Sequence, residues 1–132
     1  MTVTTLDVLR LARKKIGSPE AWTKEAFARD ALGEELVAVD DFKWWFTRLG
    51  SYGQPTCFCL GGALGAAAHE LRVADDDAYA AVYATIAANP SFEAVPDDDD
   101  MGAVFRWNDA PDRTYQEIVA ALDETIERVN AR

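Results

Sequence analysis

Apolar residues recur at helical spacing along much of the chain. From about Thr5 to Ile16, the residues Leu6, Leu9, Ala12 and Ile16 share one face, and Gly17-Ser18-Pro19 ends the run. Asp7 near the start and Lys14-Lys15 at the end suit the helix dipole. A second helix is expected from about Lys24 to Leu32, with Thr23 as N-cap, Trp22 stapled on Phe27 and Gly33 as the stop. The strongest core pattern runs from about Thr56 to Leu71, where Leu60, Ala63, Leu64, Ala67 and Leu71 form one stripe. Gly61, Gly62 and Gly65 flank it, and close approach of another helix is the simplest reason for glycine there. Asp75 to Ala88 follows with Tyr79, Val82, Tyr83 and Ile86 on its apolar face, and Asn89-Pro90 stops it. The last helix spans about Tyr115 to Val129, opened by the capping box Thr114-Tyr115-Gln116-Glu117.

Two stretches read less simply. Phe42, Trp44, Trp45 and Phe46 are crowded together, and a short helix from about Asp40 to Leu49 is expected. Such a helix cannot bury all four rings on one neighbour. Either the segment is buried on both sides, or Phe42, Trp44 and Trp45 supply exposed anchors for a partner. Ser91 to Gly102 reads as a loop, and Ala103 to Trp107 as a short extended piece. The expected fold is therefore all-α: one compact domain over residues 1–132, a bundle of five or six helices with at most one short strand pair. Residues 34–55 stand out as aromatic-rich and residues 90–102 as an acidic loop.

Composition narrows the function classes. At 132 residues and a net charge of −10, the chain is one acidic domain, which argues against direct binding of nucleic acid or an anionic membrane. The imbalance is local: residues 1–48 carry eight acids and eight bases, whereas residues 73–100 hold eight acids and no base. No apolar run reaches the length of a membrane span and the start lacks a signal-peptide pattern, so a cytoplasmic location is expected.

Candidate chemistry is sparse. Cys57 and Cys59 sit at an expected helix N-terminus, where a thiol can become nucleophilic. The single histidine, His69, lies 10 residues further on, about 15 Å along a helix, too far to act as its base. Packing cysteines are the simpler reading. Asp97, Asp98, Asp99 and Asp100 with Gly102 invite a calcium-loop reading, but Met101 and Asn108 fall where ligands are needed, so no metal is assigned beyond weak divalent binding. Asn108 and Asp109 precede a capped helix and suit a turn.

Cys59-Leu60-Gly61-Gly62-Ala63-Leu64 resembles a Cys-x-x-Gly-Ala block, and Trp107-Asn108-Asp109-Ala110-Pro111-Asp112-Arg113-Thr114 resembles a second block. Both are similar to a family of small uncharacterised proteins from actinobacteria and their phages, a domain of unknown function. That resemblance implies that the aromatic-rich residues 34–55 are an insertion, and it implies no activity and no cofactor. The functional expectation is a non-enzymatic protein-interaction or regulatory module. Phe42, Trp44 and Trp45 would anchor a basic partner or a second copy, and Asp97 to Asp100 would steer it. One alternative is an enzyme or small-ligand binder with a pocket where Cys59, Trp107, Asn108 and Asp109 converge; another is a structural component acting by self-association.

Overall fold

The computed structural model describes residues 2–92 and 99–132. Among them are five α-helices: α1 (Thr5–Lys15), α2 (Leu60–Glu70), α3 (Asp76–Ala88), α4 (Asp100–Asn108) and α5 (Tyr115–Asn130). Four strands join them: β1 (Ala28–Arg29), β2 (Glu35–Val39), β3 (Trp44–Thr47) and β4 (Cys57–Phe58), forming an antiparallel sheet in the order β3-β2-β1-β4. The expected all-α bundle is thus corrected to a mixed helix-and-sheet fold.

The helices build the core. Helix α1 packs on α2, α5 and α3, while α3 also meets α4 and α5. Leu9, Ala12, Ile16, Leu60, Leu64, Val82, Ile86, Ile118 and Leu122 are buried there in a single cluster. Caps fix the ends: Thr4 and Asp7 form one capping box, Thr114 and Glu117 another. No helix among the described residues is long and apolar enough to cross a membrane.

The hairpin β2–β3 replaces the expected helix over Asp40 to Leu49. The register Val37↔Phe46, Ala38↔Trp45, Val39↔Trp44 puts successive side chains on opposite faces. Leu36 and Trp45 point into the core. Trp44 points outward and is 44% exposed. The four-residue turn has Asp40, Asp41 and Phe42 all at positive φ, and the Lys43 N–H donates to the Asp40 carbonyl at 3.1 Å. Asp tolerates that conformation better than most residues. Beyond β3 the chain doubles back: the Thr47 N–H donates to the Ser51 carbonyl, Tyr52 bridges Phe46, and the Gly53 N–H donates to the Trp45 carbonyl.

Three further expectations are corrected. Residues 24–32 form β1 within turns, not a helix; Trp22 packs on Tyr115 rather than stapling Phe27. Ala103 to Trp107 lies in α4, because the Asp99 carboxylate accepts from the Met101 N–H and starts a helix that buries Ala103, Val104 and Trp107. Of the three glycines of α2, only Gly61 admits another helix, α4, through its Phe105. A Cβ on Gly61 would overlap the Phe105 ring, on Gly62 the Phe27 carbonyl, and on Gly65 the Phe42 ring. The close neighbours are two rings and the backbone leading into β1.

Candidate functional site

The second motif of the sequence turns out to be a hydrogen-bonded knot. The Asn108 side-chain oxygen accepts from the Trp22 indole N–H at 2.8 Å and from the Leu60 N–H at 3.0 Å. Its NH2 donates to the Thr23 carbonyl at 3.2 Å and to the Asp109 carboxylate at 3.0 Å. Asp109 also accepts from the backbone N–H of Glu25, itself at positive φ. The Trp107 indole donates to the Phe92 carbonyl, and the Arg113 guanidinium lies 4.1 Å over the Trp107 ring while donating to the Trp107 carbonyl and to Glu117. One fully bonded amide thereby ties together the end of α4, the N-terminus of α2 and the chain before β1.

Cys59 adjoins this knot as the N-cap of α2; its sulfur accepts from the Gly62 N–H at 3.1 Å. Two effects oppose one another here. Burial raises the thiol pKa, and the backbone N–H of Gly62 lowers it. Burial wins, and the thiol is pushed up to about 12, so it stays protonated at neutral pH. The helix N-terminus therefore does not yield a thiolate nucleophile. His69 sits exposed at the far end of the same helix. Cys59, Trp107 and Asn108 are buried, and with Asp109 they hold chain segments together; none lines any of the cavities described below.

Aromatic residues divide by strand alternation. Inward, an edge-to-face row runs Phe105–Phe27–Phe42–Trp45–Phe58, with centroids 4.7 to 5.9 Å apart. Outward, Trp44 and Phe46 both pack on Tyr52, at 5.7 and 4.7 Å, beside Val37 and Val39. Val37, Val39, Trp44 and Tyr52 are 40% to 72% exposed, and Lys43 lies over the Trp44 ring. Of the three rings expected as anchors, Trp44 thus faces solvent, while Phe42 and Trp45 face the core. Phe46, Tyr52, Val37 and Val39 are the surface residues that the sequence reading missed. No alternation marked them in the sequence, because both faces of the hairpin are apolar.

Acidic residues border the same hairpin. Asp40 and Asp41 form its tip, and Asp41 shares a cavity of about 510 Å³ with Asp75. Burial, then the charges of Asp76 and Asp41, push the Asp75 carboxyl up. Asp76 shares a second cavity, of about 540 Å³, with Asp99 and Asp100. Asp97 and Asp98 lie outside the described residues. Among the described residues, no group of three or more His, Cys, Asp or Glu is placed to hold a metal ion.

A family model, the family of unknown function DUF6197, matches residues 1–128 of the chain. The chain belongs to this family. No curated protein and no solved structure matches it. In this DUF6197 chain, the knot around Asn108 and the capped start of helix α5 both fall inside the matched region, as does the exposed hairpin.

Proposed function

We propose that this DUF6197 chain is a non-enzymatic protein-interaction module of the cytoplasm, and that it docks a basic-rimmed protein through the outer face of β2–β3. The observation that carries this reading is the exposed cluster of Trp44, Phe46 and Tyr52 flanked by Val37 and Val39. Exposed tryptophan and tyrosine dominate contact energetics. These rings already rest on one another, so less side-chain freedom is lost on binding. Asp40 and Asp41 adjoin the cluster in sequence, and Asp75, Asp76, Asp99 and Asp100 continue the acidic band beyond the tip. Such a band speeds encounter with a cationic surface and repels nucleic acid.

The test places a photo-crosslinking benzophenone at Val37 and, as a control, at exposed Glu127, in the cell of origin. The expected result is a hetero-adduct from position 37 alone. It should fall when Trp44 is changed to alanine, and fall again for the Asp40→Asn/Asp41→Asn pair. Equal labelling from both positions, or adducts of the chain only with itself, would overturn the proposal.

A further inference from the structure

The inward side of the hairpin tip carries a second feature, separate from the aromatic outer face. The cavity of about 510 Å³ between the tip and the end of α2 contains Asp41, Asp75, His69 and Arg72. Phe42, Gly65 and Ala68 give it an apolar floor. On the other side of the Phe42 ring lies a cavity of about 590 Å³, which shares Phe42, His69 and Arg72 with the first. It adds Lys43 and an apolar lining from Trp45 and Phe58. Both volumes fall in the ordinary range for small-molecule sites.

Three observations point to a ligand. First, two carboxylates, a guanidinium and an imidazole line one cavity, yet none of the four forms an ion pair within the described residues. They come from two segments of backbone, the hairpin tip and the end of α2 with the turn after it. Secondly, that backbone is strained at this place. Four of the five described non-glycine residues at positive φ, namely Asp40, Asp41, Phe42 and Arg72, belong to the two turns flanking the cavity. Strain of this kind collects at sites that must hold a geometry. Thirdly, the charges are ordered along the cleft. The acids Asp41 and Asp75 line the first cavity, His69 and Arg72 line both, and the apolar lining continues into the second, whose one acid, Glu70, is paired with Lys15.

From this arrangement we infer that the cleft binds a free α-amino acid with a large apolar side chain. The ammonium lies between Asp41 and Asp75, where two negative charges lack a partner. The carboxylate meets Arg72, whose planar fork suits a bidentate contact, and His69. The side chain crosses the Phe42 ring toward Trp45 and Phe58. A ligand with only one of the two charges would leave the opposite pair unmet.

The test titrates the full chain with L-phenylalanine by calorimetry, beside N-acetyl-L-phenylalanine, L-phenylalaninamide and the dipeptide Leu-Phe. The expected result is saturable binding of phenylalanine, with each blocked analogue and the dipeptide weaker by about tenfold or more. Asp75→Asn should restore relative binding of the acetylated analogue, because its ammonium-binding carboxylate is gone. Asp75 makes no side-chain cap bond to α3, so this variant keeps the helix start. Arg72→Gly should weaken phenylalanine by about tenfold without lowering the unfolding midpoint. Trp44→Ala should bind as wild type, which separates this cleft from the outer face. No saturation by about 10 mM, equal binding of a blocked analogue, tighter binding of the dipeptide, or unchanged affinity in both cleft variants would each overturn the inference.

Discussion

At the scale of single residues, two positions set local preference against fold. Arg72 is the first residue past the C-cap of α2, where the Val73 N–H donates to the Ala68 carbonyl and the Arg72 N–H to the His69 carbonyl. That pattern is a Schellman motif, and its left-handed position favours glycine. Holding arginine there costs roughly 1–2 kcal/mol, part of which glycine would return through its freer unfolded chain. Arg72→Gly is therefore expected to raise stability by about 0.5–1 kcal/mol, read from the urea midpoint. Cys59 is the second case. Its folded pKa of about 12 stands above the value near 9 of an unhindered thiol. Between those two values the unfolded chain has released a proton that the folded chain still holds. Stability is then unaffected below pH 9 and falls above it, by about 1.4 kcal/mol per pH unit at most. Urea melts at about pH 8 and 9.5 should show a loss of roughly 1 kcal/mol in wild type, and a smaller one in Cys59→Ser. The sequence reading expected Cys59 to pack, but neither the arginine at the left-handed position nor the neighbours that bury Cys59 were legible. The glycine stop of α2 is simply missing, and the burial of Cys59 depends on a helix, α4, that was read as a strand.

At the scale of elements, helices were legible from their period, including α2, which is buried from Leu60 to Ala68, and the hairpin was not. Helices α1, α3 and α5 have a polar side and recognisable starts, so their periods stood out from Leu6, Tyr79 and Ile118 onward. The hairpin has no such contrast. Val37, Trp44 and Phe46 are apolar on the outer face just as Leu36 and Trp45 are on the inner one, so alternation disappeared into a continuous aromatic run. The glycines of α2 signalled a close approach correctly, but nothing nearby in sequence named Phe27, Phe42 and Phe105 as what approaches. Alternation also makes the two adjacent tryptophans unequal. Trp45→Ala is expected to cost about 3–5 kcal/mol by opening a cavity between Phe42 and Phe58. Trp44→Ala should cost under about 1 kcal/mol, since its ring is half exposed. Paired denaturant melts separate the two, and near-equal losses would contradict the register of β2 on β3.

At the scale of the molecule, charge is sorted by position. Lys15, Lys43 and Arg72 line one cavity beside the hairpin, Lys15 paired there with Glu70, and the other acids run from the hairpin tip to the start of α4. A chain with a net charge of −10 thereby keeps a local cationic site without being attractive to anions overall. Among the described residues, Asp76, Asp99 and Asp100 share a cavity, and the neighbours of this group came only from the fold. Asp41 and Asp75 are 34 positions apart in the chain.

The strip Ser51 to Gly53 has a consequence for colloidal behaviour. Strand β3 lies at the margin of the sheet, with an aromatic surface beside it. An open margin of that kind would template strand addition from copy to copy, the first step toward fibrous aggregation. Ser51 and Gly53 occupy part of that row of backbone groups, and Gly53 fits there only because a Cβ would collide with Leu36. Glycine at this position thus lets the returning strip cover part of the strand edge while the aromatic face stays exposed.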